Sequence, residues 1–172
     1  MSFRPDIVDV WIFRVADGAA EVLLLRRSAD RILPGLWQGV SGRLEDGERV
    51  VAGALRELRE ETGLTPSSFE AMYDLDFVNQ FHFAPLDTVL TAAVFAVRVG
   101  QDTEPTLSHE HDAARWEPVA TARAEVVWPG YRDALDRIAG NLVDQERARW
   151  FLLEAAFVTE GDPAGTSVEA GR

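Results

Sequence analysis

The chain contains no cysteine and no lysine. Without cysteine there is no disulfide, no thiol nucleophile and no cysteine-held zinc, a composition that fits a reducing compartment. Without lysine there is neither a phosphate-loop lysine nor a Schiff-base lysine. All 17 basic side chains are therefore arginines, set against 29 acidic residues for a net charge of −12. That field repels polyanions and argues against a nucleic-acid polymer as partner. Long apolar runs are also missing: none approaches the ~18 residues of a membrane span. The opening stretch MSFRPDIVDVWIFRVADG is broken by Asp6, Asp9 and Arg14 where a signal peptide needs an apolar centre. These absences predict a soluble, cytoplasmic protein with no membrane partner. A small anionic ligand would need local arginines or a divalent cation.

The 172 residues are enough for one domain with a substantial core. Residues 7–15 and 20–28 read as strands joined at Ala-Asp-Gly. Pro34, Gly35, Gly39 and Gly42 punctuate a loop with short extended pieces. From about Glu48 to Thr62, Val51, Ala54, Leu55 and Leu58 recur on one helical face, and Gly63 supplies the stop. Two more strands follow in FEAMYDLDFVNQFHF and DTVLTAAVFAVRVG. ARWEPVATARAEV reads as a short strand and a turn. Residues 129–158 read as helical, with a break at Gly140-Asn141. The expected organisation is a single α/β domain over 1–158, followed by a flexible polar tail over 159–172.

Six carboxylates fall between Arg43 and Glu61. On a helix, Glu57, Glu60 and Glu61 share one sector of roughly 100°, centred about 115° from the apolar face. Like charges at i, i+3 and i+4 repel by a few tenths of a kcal/mol per pair on an exposed helix, and more when buried. A bound Mg²⁺ or Mn²⁺ would relieve that repulsion while leaving positions open for phosphate oxygens. The same run is also compatible with a solvated helix face carrying an Arg56–Glu60 pair.

Gly42, five residues, Glu48, seven residues, then Arg56-Glu57-Leu58-x-Glu60-Glu61-x-Gly63-Leu64 resembles the Nudix box at every specified position. A chance match of seven fixed residues is on the order of one in a billion per starting point. The resemblance implies an α/β/α sandwich around a mixed sheet and hydrolysis of phosphoanhydrides by metal-assisted water attack. It further implies metal ligands among Gly42, Glu57, Glu60, Glu61 and Glu110, with Glu60 and Glu61 foremost, and Arg56 orienting the glutamates, paired with Glu48. Catalytic roles would fall to Glu57, Glu60, Arg56 and Glu110, the base being Glu57, Glu60 or Glu110. Glu110 comes from LSHEHDAARWEPV, similar to a segment of several Nudix subgroups, where His111 has either a functional or a loop-packing role. Arg26 and Arg27 are candidate phosphate contacts, and Trp37 either stacks on a substrate ring or packs beneath the loop.

LWQGVSGRLEDGE, EHDAARWEPV and WPGYRDALDRI together resemble the subgroup acting on dihydroneopterin triphosphate and deoxyadenosine triphosphate, which releases pyrophosphate. The runner-up, asymmetrical diadenosine tetraphosphate hydrolase, resembles LSHEHDAARW but departs at Ala114, where those enzymes place a stacking tyrosine. ADP-ribose hydrolases carry a proline where this chain has Asn79. A non-catalytic Nudix-fold nucleotide-binding module is the alternative of another class. Partners on this reading are small phosphorylated metabolites or nucleotides. The aromatics Phe77, Phe81, Phe83 and Trp128 are candidates for the ring pocket, and the molecule is a monomer or a homodimer.

Overall fold

A computed structural model describes residues 3–158. The first hairpin forms as its alternation dictates: β1 (Ile7–Ala16) and β2 (Ala19–Arg27) are joined at Asp17-Gly18, both in the left-handed region that a tight turn demands. Short strands β3 (Trp37–Gln38) and β4 (Val40–Arg43) lead into helix α1 (Val50–Thr62). The long hairpin of β5 (Ala71–Phe83) and β6 (Thr88–Arg98) follows, then β7 (His111–Pro118), α2 (Val119–Glu125), α3 (Pro129–Asn141) and α4 (Gln145–Ala148).

The sheet is mixed, running β3-β2-β1-β6-β5, with β4 also on β1 and β7 also on β2. β1 is its centre: it runs parallel to β6 and antiparallel to β2 and β4. Residues of one strand alternate between two cores. Val8, Val10 and Ile12 pack with Leu55 and Leu58 of α1, whereas Trp11 and Phe13 pack with Leu135 and Ile138 of α3. The result is the expected α/β/α sandwich.

α1 ends as anticipated, with Gly63 at φ 71° and its N–H bonded to the Arg59 carbonyl. Two segments differ from expectation. VATARAE is a helix, α2, rather than a turn, because Val119 and Ala122 find a core on the α3 side that local sequence does not display. Past α3, among the described residues only Gln145–Ala148 is helical, and Leu152 forms an isolated antiparallel bridge with Tyr73. There the Asp74 N–H donates to the Phe151 carbonyl and the Leu153 N–H to the Met72 carbonyl, both at 2.9 Å. Phe151 reaches one core and Leu153 the other, so this segment covers the sheet within its own chain. The expected flexible tail, 159–172, lies outside the described residues. Among the described residues no helix is long and apolar enough to cross a membrane.

Leu58 is fully buried between α1 and the sheet. Its truncation to alanine should cost about 3 kcal/mol, read as a lowered urea midpoint at unchanged slope.

Candidate active site

α1 and the loop before it are bound by one side chain. The Arg56 Nε and Nη2 donate to the two oxygens of Glu48 at 2.8 and 3.0 Å, and Nη2 also donates to the Arg43 carbonyl at 2.9 Å. Nη1 donates to Glu57 at 2.8 Å and to Glu60 at 3.2 Å. This two-pronged pairing holds the Glu48 carboxyl below its usual range, while Glu48 is the main cause raising the guanidinium. The Glu45 N–H closes the loop onto Glu48 at 2.9 Å.

The acidic residues differ in setting. Glu57 lies against Gly42 so closely that a Cβ there would overlap its carboxyl group. Burial raises the Glu57 carboxyl; Arg56 opposes this, and Glu60 and Glu110 add to it. Glu60 remains half-exposed. Glu61 is 3% exposed, a correction to the expectation that all three glutamates sit off the core. A helical wheel knows only its own helix, and here β4 and the chain leading into β7 close over α1's flank. The Ser108 N–H bonds the Glu61 carbonyl at 3.1 Å, and the Ser41 N–H bonds its carboxyl. Burial, then Glu57 and Glu110, push that carboxyl up to about 9. Its Oε2 has no hydrogen-bond partner and stands 3.6 Å from His111 Nε2. The His111 ring is buried, both its nitrogens lack partners, and burial lowers its basicity.

Glu110 faces the cluster from the loop before β7, where Arg31 pairs with it at 3.2 Å. Arg27 is also near, since its charge acts on both Glu61 and His111. The structure thus gathers Gly42, Arg56, Glu57, Glu60, Glu61, Glu110 and Arg27. It does not bring Arg26 and Trp37 into the same group. Neighbours on a strand point to opposite faces, and Arg26 lies over Trp37 and donates to Asp112 at 2.6 Å. Trp37 also carries Arg115 over its ring at 4.2 Å and packs against the α3-side core.

Among the described residues, no three His, Cys, Asp or Glu side chains already converge as a metal cage. The donor set nevertheless fits a hard divalent cation. The charge of Glu110 acts on both Glu57 and Glu61, Glu57 also raises Glu61, Glu61 keeps an unsatisfied buried oxygen, and Gly42 leaves backbone open beside Glu57.

Sequence reasoning overlooked Asp9, noting it only as a break in an apolar run. It is 5% exposed, hydrogen-bonded to Ser41, and pushed by burial to about 6. Its Oδ1 has no partner. Ser41 also hydrogen-bonds Tyr131, whose hydroxyl burial raises. A carboxylate inside a strand of otherwise buried apolar residues was the available signal.

A NUDIX domain model matches residues 5–138. Over 120 residues the chain is 38% identical to an octanoyltransferase of Myxococcus xanthus, covering 69% of this chain and 32% of that protein. The chain spans less than half the length of the curated relatives it matches. Among solved structures, a protein of Listeria monocytogenes described as a NUDIX hydrolase superposes with a TM-score of 0.69 at 27% identity, over 81% of this chain and 94% of that one. The Escherichia coli dihydroneopterin triphosphate pyrophosphohydrolase does so at 0.68 and 25% identity, over 79% and 95%.

Two pH-dependent outcomes are expected. Glu61 and Asp9 both have folded-state values above their unfolded ones, so their stabilising contributions are complete at low pH. The contributions are lost as pH rises, through 4.5 to about 9 for Glu61 and through 3.8 to about 6 for Asp9. In EDTA, Glu61→Gln should flatten part of the fall in Tm between pH 5 and 9. Mg²⁺ at pH 8 should raise Tm for the wild type and much less for that variant. Asp9→Asn should be more stable than wild type at pH 8, by up to about 3 kcal/mol, with the gap closing near pH 4. Scanning fluorimetry across pH measures all three.

Proposed function

Because the chain belongs to the Nudix family, we propose that residues 1–158 form a single hydrolase domain that cleaves phosphoanhydrides with a divalent cation, Mg²⁺ or Mn²⁺. The observation that supports this is the acid cluster beside Gly42, in which Arg56 holds Glu48, Glu57 and Glu60. A bound cation would neutralise phosphate oxygens and stabilise the charge developing on the leaving group. Glu61, Glu57 and the Gly42 carbonyl would hold it, with Glu60 and Glu110 completing the set. Glu60 is the glutamate freest to turn, being half-exposed and held by its longest bond to Arg56.

The remaining work falls to the chain itself. Arg56 fixes the loop and the rotamer of Glu57, so that little reorganisation is needed when substrate arrives. Glu57, Glu60 and Glu110 are the carboxylates placed to take a proton from the attacking water. Arg27 offers positive charge for a phosphate at the rim of the cluster. Water adds to phosphorus, one P–O–P linkage breaks, and the proton ends on a carboxylate.

The substrate we favour is a nucleoside triphosphate-like molecule, dihydroneopterin triphosphate or a deoxynucleoside triphosphate, giving monophosphate and pyrophosphate. The three motif stretches and the likeness to the E. coli pyrophosphohydrolase support this reading. Ala114 argues against the dinucleoside tetraphosphate: it faces Leu25 across the sheet and packs on the α1 side, where it offers no ring to stack on a base.

Incubation with Mg²⁺ and deoxynucleoside triphosphates, dihydroneopterin triphosphate, diadenosine tetraphosphate and ADP-ribose, with products identified by mass, tests the assignment. Pyrophosphate plus a monophosphate is the expected result. ATP plus AMP from the dinucleoside would replace this substrate reading, and EDTA-sensitive binding without turnover would favour the binding module. Glu60→Gln should lower kcat at least 100-fold, and a loss below about 10-fold would remove Glu60 from the machinery.

A further inference from the structure

Asp9 takes no part in the proposed hydrolysis. It sits mid-strand on central β1, between β4 and β6, on the α3 side of the sheet, flanked by wholly buried Val8 and Val10. Its Oδ1 is buried and bonded to nothing. Two residues on, and on the same face, the Trp11 Nε1–H is likewise buried and without a partner. A bare acceptor and a bare donor on one buried face are an expensive arrangement that a bound polar ring would satisfy.

Polar and aromatic side chains surround this pair. Ser41, Asn79 and Tyr131 are only partly buried and rim this face. Asn79 lies against the first turn of α3 so closely that a Cβ on Gly130 would overlap its side chain. Tyr131 meets the Trp11 ring edge-on at 5.4 Å. The place also adjoins the acid cluster. Ser41 directs its hydroxyl to Asp9 and its backbone N–H to Glu61. Ser41 thus links the acid cluster to Asp9 through a single residue.

We propose that Asp9 selects the substrate's ring, accepting hydrogen bonds from a ring N–H and the adjacent exocyclic amine of a 2-amino-4-oxopyrimidine, the edge shared by guanine and pterin. Ser41 occupies part of the carboxylate and fixes its orientation, leaving Oδ1 for the ligand. Adenine presents a ring acceptor beside its amine, and thymine presents a ring N–H flanked by carbonyls, so neither satisfies an ionised carboxylate in the same way. This inference rests on the phosphoanhydride hydrolase reading.

Two measurements test it. The first compares kcat/KM of wild type and Asp9→Asn on dGTP, dihydroneopterin triphosphate and dATP. The wild type should favour the first two, and the variant should lose at least 100-fold on the preferred substrate but less than about 3-fold on dATP. Preference between dGTP and the pterin identifies the ring's source. Equal losses on all three, or a wild type that prefers dATP, would overturn the proposal. The second measurement follows tryptophan fluorescence on titration of dGMP and dAMP in EDTA. Wild type should bind dGMP at least 10-fold more tightly than dAMP, and Asp9→Asn should erase the difference. Equal wild-type affinities would refute ring selection even if the variant did not fold. Selective dGMP binding without turnover would refute the hydrolase reading and leave ring selection standing.

Discussion

The fork between Arg56 and Glu48 is the constraint on which the rest of the site depends. It joins the second turn of α1 to the loop that precedes the helix, and a third bond reaches back to the Arg43 carbonyl. The same guanidinium then has one nitrogen left for Glu57 and Glu60. Arginine alone supplies this many coplanar donors, so a lysine could not hold loop, strand end and two glutamates together. Without that clamp Glu57 and Glu60, two mutually repelling carboxylates, would have no shared anchor. Glu61 differs from its neighbours because it is positioned by burial, not by the fork, and is therefore the member most dependent on what closes over the helix.

β4 connects the acid cluster with the buried Asp9. It is only four residues long, yet consecutive positions serve different faces. Gly42 makes room for Glu57, while Ser41 turns its hydroxyl toward Asp9 and its amide toward Glu61. The alternation that buries two cores on either side of the sheet also sets Glu57 and Asp9 on either side of one short strand.

Much of this was legible in the chain. Strand alternation, the Asp17-Gly18 turn, the α1 apolar face and the Gly63 stop are local properties, and each appeared where local physics put it. The Arg56–Glu48 pair was legible by another route, through the resemblance of residues 42–64 to the Nudix box. What escaped is non-local. α2 owes its helix to a core supplied by other elements, and Glu61 owes its burial to β4 and the β7 approach. Asp9 acquires meaning only when Ser41 is brought beside it, 32 positions away in sequence. Arg26 and Arg27 are adjacent in sequence and apart in space, a separation that follows from the strand period and the faces the two cores occupy.

The parallel pairing of β1 with β6 also bears on how the protein comes into being. Ile7 faces Ala92, so this contact closes a loop of 85 residues, whereas the β1-β2 and β5-β6 hairpins close locally. Local contacts form early and distant ones late, because chain closure must precede their reward. β1 is the strand that carries β4 and β2, and through them Gly42 and the approach to Glu110. The acid cluster is complete only once β7 has also docked on β2, a second distant closure in which Leu25 faces Ala114. Stopped-flow refolding should then show hairpin structure ahead of any capacity to bind a cation, which makes metal affinity a reporter of finished assembly.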